Sequence, residues 1–318
     1  MKPYLFVALF SVTSLMAARA QEYKVTKTSG KLRMNLSNVL IEGHNGNEII
    51  FSYQQTPAKK ETDPRAEGLQ TINGSGFSDN TGLGISVVYK GTTLEVNEVI
   101  PEQPIKILVP RGIIVSCICH KEPHSNGVIC RNLDNEIEIE TDFDSVSLEN
   151  VTGPVAVRTL YGSVDAIFNE NIKGPISIAC INSRVDVAIP LNTKANIKLK
   201  SAHNIIMTSP DLKIDVVKSE EEHMPFYGSS VTGKLNGGGS EFRLSSEFGK
   251  IYLRKTPTSL RTKIPDRVGK SRLYSLETHR SEGNKKRKET SQCKYPPSDG
   301  DPICIAREPA VHDQPGNG

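Results

Sequence analysis

Two stretches of this chain can be laid over one another at an offset of 21 residues. They are Asn150-Val151-Thr152-Gly153-Pro154-Val155-Ala156-Val157 and Asn171-Ile172-Lys173-Gly174-Pro175-Ile176-Ser177-Ile178. The match continues to Ser163-Val164-Asp165 over Arg184-Val185-Asp186. A period near 20 residues that carries β-branched alternation is the mark of stacked copies, each with too little apolar surface to fold alone.

The register extends both ways. Ile137, Ile139, Thr141, Phe143, Ser145 and Val146 fall under Val155, Val157, Thr159, Tyr161, Ser163 and Val164 at an offset of 18. Ile197, Leu199, Ser201, His203 and Ile206 fall under Ile176, Ile178, Cys180, Asn182 and Val185 at 21. A fifth copy, Phe242, Leu244, Ser246, Phe248, Gly249 and Ile251, follows an insertion of roughly 30 residues. Each copy reads apolar-x-apolar-x-small, then a turn, then a second short alternation. Period-two alternation sends one face of a strand inward and the other to solvent. No segment after the N-terminal region holds a 3.6-residue apolar period for more than a turn or two. That argues against a TIM barrel or a doubly wound sheet, which need helices between parallel strands. The expectation is an all-β chain, a single-stranded parallel β-helix (β-solenoid) of about 20-residue coils. An antiparallel sandwich is the alternative, since short strands at even spacing also suggest one.

Three segments differ in composition. Residues 1–20 read as a signal peptide: Lys2, an apolar Leu5–Leu15 run, then Ala18-Arg19-Ala20 as a small-x-small cleavage site. The run is too short and too interrupted to anchor in a bilayer as a spanning helix. Residues 21–255 carry 25 basic and 28 acidic side chains, a net of −3, which gives no electrostatic reason to bind nucleic acid. Residues 256–318 lose the alternation, scatter proline through polar text and carry a net of +4. Their Lys285-Lys286-Arg287-Lys288 run resembles a localisation or polyanion patch, but a disordered, Pro-rich basic tail is the plainer expectation in an exported protein. The partition is thus 1–20 signal peptide, 21–255 solenoid and 256–318 tail, with an exported chain at the periplasm or outer cell surface.

Little of the chemistry-bearing inventory points to catalysis. Cys117, Cys119 and Cys130, with His120 and His124, are the nearest thing to a metal cluster, but the spacing matches no zinc pattern. A disulfide from Cys117 or Cys119 to Cys130, or free buried thiols, are the other readings. Cys180 takes the small position held elsewhere by Thr159 and Ser201, and Cys293 and Cys304 lie in the tail. Asp165 and Asp186 fall at one point of adjacent copies and should stack about 5 Å apart. A carboxylate pair at that spacing suits a retaining glycosidase or a calcium site. The other copies place Ser147, Met207 and Tyr252 there, so no acidic cluster builds up. His44, His203 and His223 stand alone, without triad context. Gly237-Gly238-Gly239 lacks the Lys-Ser/Thr of a phosphate loop and reads as a turn. Asn150 and Asn171 are expected to stack as an Asn ladder. No catalytic, cofactor-binding or metal residue is therefore assigned, and no cofactor.

The closing segment, Gly233-Lys234-Leu235-Asn236-Gly237-Gly238-Gly239-Ser240-Glu241-Phe242-Arg243-Leu244-Ser245-Ser246-Glu247-Phe248-Gly249-Lys250-Ile251-Tyr252-Leu253-Arg254-Lys255, resembles the end of an exported adhesin family common in Bacteroidota. The Gly-Pro coils and the Leu36–Ile50 stretch, with its Glu42–Glu48 turn, are also similar to that family. The resemblance implies a right-handed parallel β-helix at the cell envelope in an adhesive or structural role, with an unknown envelope protein or glycan as partner. It brings no catalytic residues. The expectation is a non-enzymatic adhesin or interaction scaffold; the alternatives are a carbohydrate-active or glycan-binding protein using Asp165/Asp186, and a sensory envelope component. Partner contacts are expected in the Ser209–Gly239 insertion with its Glu220-Glu221-Glu222 run.

Overall fold

The computed structural model describes residues 21–55, 63–120, 127–217 and 229–256. The expected signal peptide, the tail beyond Thr256, His124, His223, Cys293, Cys304, Glu220–Glu222 and the Lys285–Lys288 run lie outside the described residues.

Among the described residues every regular element is a β-strand, except one 3-10 turn at Pro64–Ala66. With strands numbered in chain order, sheet I runs in space as β1 (Glu22–Thr26), β4 (Glu48–Tyr53), β7 (Ile105–Pro110), β3 (Asn38–His44), β9 (Gly127–Arg131), β11 (Val146–Val151), β13 (Val164–Phe168), β15 (Val185–Ile189), β21 (Ile251–Lys255) and β17 (Ile206–Thr208). Sheet II runs as β18 (Ile214–Val216), β19 (Ser229–Leu235), β16 (Ala195–Ser201), β20 (Ser240–Ser246), β14 (Ile176–Cys180), β12 (Val155–Thr159), β10 (Ile137–Thr141), β8 (Ile113–Cys119), β2 (Gly30–Asn35), β6 (Thr93–Glu98) and β5 (Ile85–Lys90). From β8 to β15 the chain alternates between the sheets, one strand in each. All pairings in the middle of both sheets are parallel. Antiparallel strands appear only towards the ends, where β4, β5, β18 and β19 fold back on the stack.

The alternation explains the core. Val155, Val157 and Thr159 of β12 are buried while Ala156 and Arg158 between them are exposed, and β14 repeats the pattern with Ile176, Ile178 and Cys180. The inward residues of both sheets form one apolar cluster, and Phe168 of sheet I meets Phe242 of sheet II with ring centroids 6.4 Å apart. The small residue ending β10, β12, β16 and β20 has a polar task. Thr141 donates to the Asp144 carbonyl (2.8 Å), Thr159 to Gly162 (2.6 Å), Ser246 to Ser183 (2.8 Å) and Ser201 to Gly249 (3.1 Å). A buried turn carbonyl left without a donor is costly, so this column closes the turns.

The expected registers appear: Ile137 pairs with Val155, Val155 with Ile176, and Val164 with Val185. The order of the last layers differs from the sequence expectation. Ile197 does not lie beside Ile176; Phe242 lies between them, pairing with both. The fifth copy is therefore inserted between the third and the fourth. Offsets define which residues share a column, but any strand carrying an apolar residue at that point fits the column equally well. The β18–β19 hairpin carries the chain back and covers the outer edge of β16, leaving β20 the inner slot. The other end mirrors this, with β2 held between β6 and β8, and β3 between β7 and β9.

The Asn ladder is also displaced. Asn150 donates to Asn132 (2.7 Å) and accepts from Asn169 (2.6 Å); Asn171 is not its partner. A register break between Glu149 and Val151 puts Asn150 in the left-handed region at φ 56°, with Asn132 at φ 53°. Asn tolerates that conformation better than most residues.

Candidate functional site

Outward charges are matched on much of both sheets; on sheet II Lys31 pairs with Glu138, and Glu140 stands opposite Arg158. On sheet I the charges answer one another across neighbouring strands. Lys106 pairs with Glu42 (2.8 Å), Arg131 with Glu149 (2.7 Å), Arg184 with Asp165 (2.8 Å), Arg254 with Asp186 and Lys255 with Asp211. Asp165 and Asp186 are register partners, stacked as expected. Both are clasped. Arg184 Nη2 reaches both oxygens of Asp165, at 2.8 and 3.2 Å. Arg254 meets Asp186 in a fork, its Nε donating to Oδ1 at 2.8 Å and its Nη2 to Oδ2. Desolvation raises the Asp165 pKa; the Arg184 guanidinium opposes this and the Asp186 charge adds to it. In the same column stand Ser147 and Tyr252.

The described cysteines are interior. Cys117, Cys119, Cys130 and Cys180 are buried and form no disulfide, so the Cys117/Cys119–Cys130 bridge is absent. Burial pushes the Cys130 thiol up to about 12, and burial first, then Cys119, Cys130 and Asp144, push Cys117 well above its ordinary value. Among the described residues no group of three or more His, Cys, Asp or Glu could hold a metal ion. His120 faces Asp142 at 3.1 Å instead of joining the cysteines. His44 ties its own turn, with Nε2 2.8 Å from the Glu48 carbonyl oxygen and Nδ1 accepting from Gly46. The Gly237–Gly239 stretch is a turn, entered through Asn236 at φ 49° with Gly237 and Gly238 at 83° and 91°.

Sheet II carries two shallow grooves. The smaller, about 470 Å³, lies over β2, β6 and β8, where Lys90 pairs with Glu95 (2.6 Å) and Arg33 and His120 complete the charged lining. The larger, about 640 Å³, lies over β19, β16 and β20. Lys198, Lys200, Lys234 and Arg243 project into it, against the single acidic residue Glu241. Lys198 and Arg243 are direct register neighbours, two cations side by side. Arg243 lies 3.9 Å from Glu241, whereas among the described residues no carboxylate comes within ion-pair distance of Lys198, Lys200 or Lys234. Ser177, Asn196, Thr232 and Ser245 add hydroxyl and amide groups. The lining includes Val217, Thr232 and Lys234 from the insertion where partner contacts are expected.

An aromatic column follows the turns after the sheet II strands. Phe143 stacks on Tyr161 at 5.1 Å and 8°, and His203 on Phe248 at 4.7 Å and 13°. Phe143, Tyr161 and Phe248 are exposed. Neither this column nor the basic groove stands out in the sequence as a site. Lys198 and Lys200 are visible there as outward alternation, but Arg243 lies 45 positions after Lys198, and their adjacency depends on where β20 inserts.

No family model and no curated protein sequence matches the chain. Two solved structures are similar to it. One is described as a "putative cell adhesion protein" from Clostridium sporogenes, at 12% identity and TM-score 0.36, covering 75% of this chain and 100% of its own. The other, a "putative adhesin" from Bacteroides fragilis, has 12% identity and TM-score 0.22, covering 76% and 98%. No family match supports the expected resemblance to a family common in Bacteroidota.

Proposed function

We propose that this chain is a non-catalytic, exported cell-envelope protein that acts as an adhesin-like interaction scaffold on a right-handed parallel β-solenoid. The observation that carries the reading is the state of Asp165 and Asp186. A retaining glycosidase needs one carboxylate free to attack and another free to donate a proton. Here all four oxygens already accept from Arg184 or Arg254, and neither residue lines either groove. The raised proton affinity of Asp165 has its largest cause in desolvation. The alternating strands and their two-sheet stacking support the solenoid; the N-terminal signal pattern supports export. What remains for such a scaffold is its long outward surface, offered to an envelope protein or a glycan.

Two measurements test this. Purified protein incubated with a panel of polysaccharides should release no reducing ends, and the Asp165→Asn/Asp186→Asn variant should behave identically. Hydrolysis that disappears in that variant would restore the enzyme reading. Protease treatment of intact cells should release peptides of residues 21–255; peptides obtained only after lysis would move the protein inside the envelope.

A further inference from the structure

We propose that the basic groove on sheet II binds a linear acidic polysaccharide, its uronate carboxylates lying on Lys198, Lys200, Lys234 and Arg243. The inference rests on the non-catalytic scaffold reading and names the ligand class for it.

The argument starts from a cost. Like charges placed directly opposite on neighbouring strands are destabilising, and Lys198 and Arg243 are so placed. Sheet I shows the usual remedy, a carboxylate beside nearly every outward cation. In the groove Glu241 lies 3.9 Å from Arg243 and also accepts from Asn196 at 3.3 Å, and Asp215 is the register neighbour of Lys234. Among the described residues, Lys198 and Lys200 have neither. An anion from outside would remove this repulsion, and charge complementarity of that kind raises association rate and selectivity.

Shape and lining choose among anions. Lys198 and Lys200 are two residues apart on one strand, about 6.7 Å, and Arg243 sits one strand over, about 4.8 Å. These steps are comparable to one sugar unit, so a polymer with a carboxylate on each unit can meet successive cations. Ser177, Asn196, Thr232 and Ser245 supply hydrogen-bonding groups for hydroxyls. Three residues beyond Lys200 and Ser245 stand His203 and Phe248, a stacked pair on the turns of the same two strands. Exposed rings suit the apolar face of a pyranose. Duplex DNA is the competing polyanion, and the test below separates the two.

The test uses the full chain with polygalacturonate, its fully methyl-esterified form and duplex DNA as probes, by titration calorimetry at low and physiological salt. The expected result is binding of polygalacturonate that weakens as salt rises, with no measurable binding of the methyl ester or of DNA. Lys198→Glu/Arg243→Glu should reduce affinity tenfold or more, and the milder Lys198→Gln/Arg243→Gln several-fold with an unchanged melting temperature. Lys106→Ala, on sheet I, should leave binding intact. The proposal is overturned if polygalacturonate does not bind, if the ester or DNA binds as tightly, or if the Gln variant binds like the parent. Loss of binding alone leaves the scaffold reading standing, whereas cleavage of the bound polymer would remove that reading and keep the groove.

Discussion

At the residue scale, two kinds of position are set by close quarters. Gly162 and Gly249 lie where a Cβ would come within 1.9 Å of the backbone carbonyl oxygens of Asp144 and Ser183. Backbone cannot step aside as a side chain can. Gly162→Ala should therefore cost about 1–3 kcal/mol, read as a lowered denaturation midpoint with an unchanged m-value. The second kind is the buried thiol. An unfolded cysteine ionises near pH 8.5, while folded Cys130 holds its proton up to about 12. Between those values the unfolded state binds fewer protons, so stability falls as pH rises. Urea melts at stepped alkaline pH should show that fall, and Cys130→Ala should flatten part of it. The same burial should shield Cys117, Cys119, Cys130 and Cys180 from a thiol reagent until urea is added, as peptide mapping would report. The interior identity of these residues is legible in the alternation. That they form no disulfide is not, because a strand pattern gives facing but not the distance between sulfurs on different layers.

At the element scale, the strands β20 and β21 decide how the far end is built. Phe242 and Leu244 are buried and each touches layers on both sides through its strand. Phe242→Ala should cost about 3–5 kcal/mol, more than the same change at an end layer, as comparative denaturation would show. Facing, strand length and column membership were readable in the offsets of 18 and 21. Layer order was not. Ile197 and Phe242 are equally good neighbours for Ile176; β19 pairs with the outer edge of β16, and the Asn236-Gly237-Gly238 turn after β19 leads into β20 at the inner slot. The Asn ladder failed for a similar reason, since the bulge at Asn150 moves its partner from Asn171 to Asn169.

At the scale of the whole molecule, the parallel middle and the folded-back ends should differ in stability. Strands β8, β10, β12 and β14 have hydrogen-bonded neighbours on both sides, while β1, β5, β17 and β18 stand at the sheet edges. Native-state hydrogen exchange should find the slowest amides in the first group and the fastest in the second. The candidate site follows from the same architecture. The Asp165/Asp186 stack was visible in the sequence because both residues belong to consecutive copies. The basic groove was hidden because it joins strands that the sequence separates, β16 and β20, with the insertion between them.

That junction also offers the most direct check, since the inner position of β20 is what creates the groove on an otherwise charge-matched scaffold. Ser177 and Arg243 are register neighbours on the outward face, whereas Ser177 and Lys198 stand two strands apart, about 9.6 Å. A disulfide needs Cα atoms within about 7 Å. Under mild oxidation, Ser177→Cys/Arg243→Cys should cross-link within one chain, and Ser177→Cys/Lys198→Cys should not. The reverse outcome, a bridge from position 177 to 198 and none to 243, would put the strands in sequence order and dissolve the groove.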